Sequence, residues 1–167
     1  MDGLSQVPIT INSKNAGCVA GATNTWTNSV ATTCAIKGKF TVALGINSDA
    51  AVTPTTDANT GAAFEYILPN YCAAIVFGVN AAGSLVAVQG EQTETHPGVT
   101  TTVGAFKLAP QFPSIPDDFC PIAYTIVRVA PSGGAGFLLG TTEWTAASMS
   151  CTTFQNIVTM PDRPQIA

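Results

Sequence analysis

Three prolines, Pro110, Pro113 and Pro116, lead into an acidic turn and then into the longest β-type apolar run of the chain. This stretch, PQFPSIPDDFCPIAYTIVRVA from Pro110 to Ala130, limits the fold more than any other. Each proline fixes φ and withholds an N–H donor, so Gln111 to Ile115 is expected to lie extended along a surface rather than inside a sheet. Asp117 and Asp118 make the turn. From Pro121 onward, Ile122, Tyr124, Ile126 and Arg128 alternate with Ala123, Thr125, Val127 and Val129, the pattern of a strand covered on both faces.

The rest of the chain reads as short strands that pair around this one. Residues 1–17 form an arm or edge strand, with Val7, Ile9 and Ile11 alternating. Cys18 to Ile36 suits a hairpin about Trp26, and Lys37 to Ile46 an amphipathic strand. Asn47 to Gly61 has the Asp, Thr, Pro and Asn content of a long connection. Phe64, Tyr66 and Leu68 alternate again, Cys72–Val79 pairs with Ser84–Gln89 as a central hairpin, and Val99–Leu108 is a Thr-rich strand candidate. Thr142 to Ser150 allows one short helical turn, and residues 160–167 leave as a proline-bearing tail. With turn signals every ten residues or so and no helical stripe over three turns, the class is all-β. The expected architecture is a single-domain, jelly-roll-like sandwich of antiparallel strands over residues 1–167.

Composition excludes several functions. Only 10% of the residues are charged, the formal net charge is -4, and there are six Lys plus Arg. The phosphate-neutralising footprint of a nucleic-acid binder is missing, so direct contact with nucleic acid is not expected. A surface of Thr, Ser, Asn, Ala and Gly costs little to desolvate and suits extensive protein contact. The N-terminal MDGLSQVPITINSKNAG has neither a basic start nor an apolar core, so no signal peptide is expected, and no stretch reaches bilayer length.

Reactive constellations are sparse. His96 is the sole histidine, beside Pro97 in a polar loop with Glu91 and Glu94, and lacks a fixed orienting partner. Ser132-Gly133-Gly134 lacks the strand-to-helix context of a nucleophile elbow, and Gly133 to Gly136 lacks the Lys of a phosphate loop. Asp117 and Asp118 point apart in an extended chain. Asp57-Ala58-Asn59 opens like a calcium loop without its glycine and distal Glu. Trp26 and Trp144 suit core or rim anchors better than a sugar platform. No enzyme activity, cofactor or metal is expected.

Phe77-Gly78-Val79-Asn80-Ala81-Ala82-Gly83, Pro110-Gln111-Phe112-Pro113 with Ile115-Pro116-Asp117-Asp118-Phe119-Cys120-Pro121, and the Pro161-Asp162-Arg163-Pro164 tail resemble small structural proteins of tailed bacteriophages encoded near the major capsid protein. The resemblance covers about Ala62 to Ala167. It implies a capsid decoration (cement) or head-fibre protein, made in the host cytoplasm and carried on the virion's capsid surface, with the major capsid protein as partner. A receptor-binding or tail-fibre-type adhesin is the main rival, and a secreted carbohydrate-binding module a weaker one. The docking residues expected are Gln111, Phe112, Pro113, Ile115 and Pro116 in the proline stretch, and Met160, Pro161, Arg163 and Pro164 in the tail. Both segments are extended and donor-poor, able to cover a partner without seeking strand pairing. A homotrimer is the favoured assembly, and a monomer at each local axis fits the same sequence.

Cys18, Cys34, Cys72, Cys120 and Cys151 show no zinc spacing. If Cys18 to Ile36 is a hairpin centred on Trp26, Cys18 and Cys34 lie equally far from the centre and face one another. Facing strand residues have Cα atoms about 4.5 to 5.5 Å apart, which a disulfide tolerates. The competing reading is two small apolar thiols in a protein made in a reducing cytoplasm.

Overall fold

The computed structural model describes residues 10–165; residues 1–9 of the expected arm, and Ile166 and Ala167 of the tail, lie outside them. The strands are β1 (Ile11–Asn12), β2 (Cys18–Ala20), β3 (Thr25–Asn28), β4 (Thr32–Ile36), β5 (Lys39–Leu44), β6 (Asn47–Val52), β7 (Tyr71–Asn80), β8 (Leu85–Gln89), β9 (Thr93–Glu94), β10 (Phe119–Val129), β11 (Met149–Cys151) and β12 (Gln155–Asn156). They pair antiparallel throughout, and no helix occurs among the described residues. The all-β class expected from the sequence is therefore the class observed.

A six-stranded sheet forms the centre. β10 and β7 are its middle pair, β8 and β9 flank β7, and β11 and β12 flank β10. Two three-stranded sheets, β1-β4-β5 and β2-β3-β6, complete the architecture. The long apolar runs at Tyr71–Asn80 and Phe119–Val129 take the middle because both faces of each are buried, which only a doubly covered strand permits.

One face of the central sheet carries Ala73, Ile75, Phe77 and Val79 from β7 with Ala123, Val127 and Val129 from β10. Against it pack Cys34, Ile36 and Leu44 of the first small sheet, Cys18 and Trp26 of the second, and Phe137, Leu139, Trp144 and Phe154 from the loops. The opposite face carries Cys72, Ala74, Val76, Tyr124 and Ile126. Irregular chain covers it: Phe106, Phe112, Ile115, Ile157 and Met160. Arg128, next in line on that face, lays its guanidinium 4.8 Å over the Phe106 ring.

Pro121 breaks the alternation expected of β10. Pro121 faces Gly78 and Ala123 faces Phe77, leaving Ile122 as an extra, bulged residue. The shift moves Ile122 to the face of Cys120 and Ala123 instead of that of Tyr124, and its carbonyl accepts the Ile157 N–H at 2.9 Å. Proline has no N–H to give the ladder, so the strand bulges where pairing is already broken.

Five local expectations are corrected. The first hairpin is not centred on Trp26: β2 and β3 pair Cys18 with Asn28 and Ala20 with Trp26, turning between them. Asn47 to Gly61 is not all connection, because β6 pairs with β3. Between Phe64 and Leu68 the chain makes only the isolated Ile67–Phe137 bridge, and Val99 to Leu108 forms no strand. Thr142 to Ser150 holds turns and the start of β11, without a helix. Local alternation cannot tell a ladder from a loop that dips its apolar residues into a core made by other strands.

Asp57 shows how the loops are fixed. Its carboxylate accepts the N–H groups of Asn59 and Thr60 through Oδ1 at 2.8 and 3.1 Å, and that of Gln89 through Oδ2 at 2.8 Å. A side chain so employed clamps the loop onto the end of β8. Asp57→Ala leaves three donors without their acceptor and is expected to cost about 2 kcal/mol, read by urea denaturation. Asp57→Asn keeps an oxygen for the Asx turn and should recover part of that loss.

Candidate docking surface

The two segments singled out from sequence lie side by side. Pro110, Gln111 and Phe112 meet Asp162, Arg163 and Pro164 around a cleft of about 360 Å³. Ile115 and Pro116 meet Met160 at a second cleft of about 520 Å³, which Lys37 and Asp117 border. Nothing in the spacing of positions 110 and 164 foretold this neighbourhood.

Within each segment the residues divide by role. Phe112 stacks edge-on against Tyr124 with ring centroids 4.9 Å apart, and Ile115 and Met160 pack on the same apolar cluster. Pro164 is buried, and the Gln165 N–H donates to the Tyr124 hydroxyl oxygen at 2.8 Å. These contacts close the protein's own sheet. Pro113, Pro116 and Pro161 are half-buried, whereas Gln111 and Arg163 are exposed beside the first cleft. The tail is thus anchored at Tyr124, with Gln111 and Arg163 as its outward-facing polar pair.

Lys37 adds a contact that sequence reasoning missed. Its ammonium donates to Asp117 Oδ2 at 2.8 Å, joining the turn after β4 to the turn before β10. The ammonium beside Asp117 holds that carboxyl below its ordinary range. Both side chains are largely solvent-facing, so the pair sets alignment more than stability. Its partners are too far apart in sequence for any spacing rule to pair them.

Several of the residues weighed for catalysis are engaged in other contacts, while the His96 and Asp118 side chains are exposed. The turn from Pro116 to Phe119 closes through the Phe119 N–H to the Pro116 carbonyl at 3.1 Å, consistent with a turn role for Asp117 and Asp118. Lys107 engages Glu94 at 2.6 Å and holds its carboxyl low, with a further hydrogen bond from the Tyr71 hydroxyl at 3.3 Å. Ser132 is bonded to Thr100 and Ser148. Trp26 is only 1% exposed and Trp144 only 5%, so neither can present a ring to a sugar or stand on a loop tip. No cluster of three or more His, Cys, Asp or Glu suited to a metal occurs among the described residues.

The Cys18–Cys34 register does not form. Cys18 faces Asn28 in β2-β3, and Asn156 grips the Cys18 backbone, accepting its N–H at 2.6 Å and donating to its carbonyl at 2.9 Å. Cys34 belongs to the other small sheet, facing Val42 on β5 and Asn12 on β1. The hairpin turns earlier than symmetry about Trp26 would require, and that carries the two thiols into different sheets. Burial pushes the Cys18 thiol up to about 12.

No protein-family model, curated protein or solved structure matches this chain.

Proposed function

We propose that this jelly-roll-like sandwich is a structural virion protein of a tailed bacteriophage, which binds the major capsid protein on the outer capsid surface and reinforces the shell. The observation that carries the reading is the joining of segments 109–116 and 160–165 into one proline-rich, donor-poor surface with Gln111 and Arg163 at its rim. Such a surface adds little desolvation cost and offers no free strand edge, so it favours flat contact with a shell over self-pairing. A body that is only 10% charged supports broad contact in the same way. The adhesin reading loses its loop-tip aromatic, since Trp26 lies in the core.

The test is co-sedimentation of the full-length protein with capsids of the encoding phage prepared without it. Wild type should pellet with the capsids. The Gln111→Ala/Arg163→Ala double variant should bind about tenfold more weakly with an unchanged melting curve. Removing residues 160–167 should abolish binding, and it also uncovers Tyr124, which is why the exposed double variant is needed beside it. Failure of wild type to pellet, or wild-type binding by both variants, overturns the proposal.

A further inference from the structure

Cys34 on β4 and Cys120 on β10 are both fully buried in one apolar cluster. The Cys34 thiol donates to Asn12 Oδ1 at 3.9 Å, and the Cys120 thiol beside it holds Cys34 below the ordinary thiol range. The Lys37–Asp117 ion pair, three residues beyond Cys34 and three before Cys120, holds the same two segments together at 2.8 Å. The ion pair and the shared apolar cluster therefore align this crossing of the small β1-β4-β5 sheet over the central sheet. The remaining three thiols are placed otherwise: Cys18 in the second small sheet, Cys72 on the opposite face of the central sheet, and Cys151 at its edge.

We propose that Cys34 and Cys120 form an intramolecular disulfide when the protein meets a low-molecular-weight disulfide such as oxidised glutathione, locking the small sheet to the central one. The thiolate of Cys34 attacks one glutathione sulfur and releases one glutathione thiolate, forming a mixed disulfide. Cys120 then attacks Cys34 Sγ and expels the second glutathione. The two protons leave with the two glutathione thiols, so two protein thiols are oxidised and one glutathione disulfide is reduced. The Cys120 thiol beside Cys34 holds the Cys34 thiol below its ordinary range, which makes Cys34 the attacking sulfur. Access comes from transient opening of the sheet crossing, since both sulfurs are shielded when it is closed. The linkage is independent of capsid docking.

The protein is held with oxidised glutathione a few degrees below its melting temperature, then alkylated and digested without reductant. Mass spectrometry should recover a Cys34–Cys120 linked peptide with Cys18, Cys72 and Cys151 alkylated. The closed loop spans about 85 residues, so the melting temperature should rise by about 10 °C and fall back on reduction. A Cys18→Ala/Cys72→Ala/Cys151→Ala variant, which keeps only the pair, should lose two hydrogens per chain and stay monomeric on a non-reducing gel. Recovery of Cys34 and Cys120 as free thiols, as glutathione adducts, or in another pairing overturns the proposal.

Discussion

Phe77→Ala is expected to lower the unfolding free energy by about 4 kcal/mol, and the melting temperature by roughly 12 °C. Phe77 is fully buried at the middle of β7 and anchors the aromatic cluster of the core. Its ring lies 5.1 Å from Phe154 and 6.2 Å from Trp144, and Trp144 in turn meets Phe137 at 5.4 Å and Phe154 at 5.3 Å. The cross-strand neighbours of Phe77 are Ala123 on β10 and Ala87 on β8. Small residues on both sides made room for the ring, and neither can reach into the space that its removal leaves. The cavity therefore persists, and the cost falls toward the upper part of the range for such truncations. Trp144 cannot swing to fill it, because its Nε1–H donates to the Thr25 carbonyl at 2.7 Å and so ties the cluster to β3. Urea denaturation with an unchanged slope would measure the loss. A value under about 1.5 kcal/mol would mean that the cluster collapses after all. Phe77→Leu, which keeps most of the volume, should cost about 1.5 kcal/mol.

Those neighbours show how much of the fold was legible. The apolar runs of β7 and β10 were long, β-branched and bounded by turn residues, so their existence and burial could be read directly. Their pairing with each other could not, because the chain makes β8 and β9 between them and only the ladder register says which strands meet. The role of Ile122 was misread for a local reason: a proline-linked bulge inverts the face of the residue after it. The two proline-bearing segments, 110–116 and 160–165, were legible as extended and donor-poor, since proline dictates that regardless of context. That Phe112, Ile115 and Met160 pack onto the protein's own sheet was hidden, because an apolar residue in an extended segment reads the same whether its partner is internal or external. The thiols mark the deepest limit. Symmetry within one hairpin offers Cys18 and Cys34 as a facing pair beside the reading of two free thiols, whereas the structure puts them in different sheets, and the docking of sheets leaves no trace in sequence spacing.

Gly78→Val is expected to cost about 3 kcal/mol, although glycine inside a strand ordinarily weakens it. The residue has no unusual backbone angle to protect; its requirement is space. Gly78 lies on the outer face of β7, opposite Pro121 and Val86. A Cβ there would stand 2.2 Å from Phe119 Cε1 and 2.6 Å from the Cys120 carbonyl oxygen. The ring of Phe119, only 2% exposed, lies across the glycine and fills the gap that a side chain would occupy. A ring can rotate away, but the Cys120 carbonyl belongs to the backbone of β10, one residue before the proline-linked bulge. Relieving that contact means parting the two central strands, so the substitution acts on the sheet as well as on one aromatic. The two contributions separate in a double-mutant cycle. Phe119→Ala alone should cost about 3 kcal/mol by opening a cavity above Gly78. Combined with Gly78→Val, it should cost at least about 1 kcal/mol less than the sum of the two, since valine enters the space that the ring vacated. Strict additivity would show that Phe119 is not the obstacle and that the carbonyl contact sets the whole penalty.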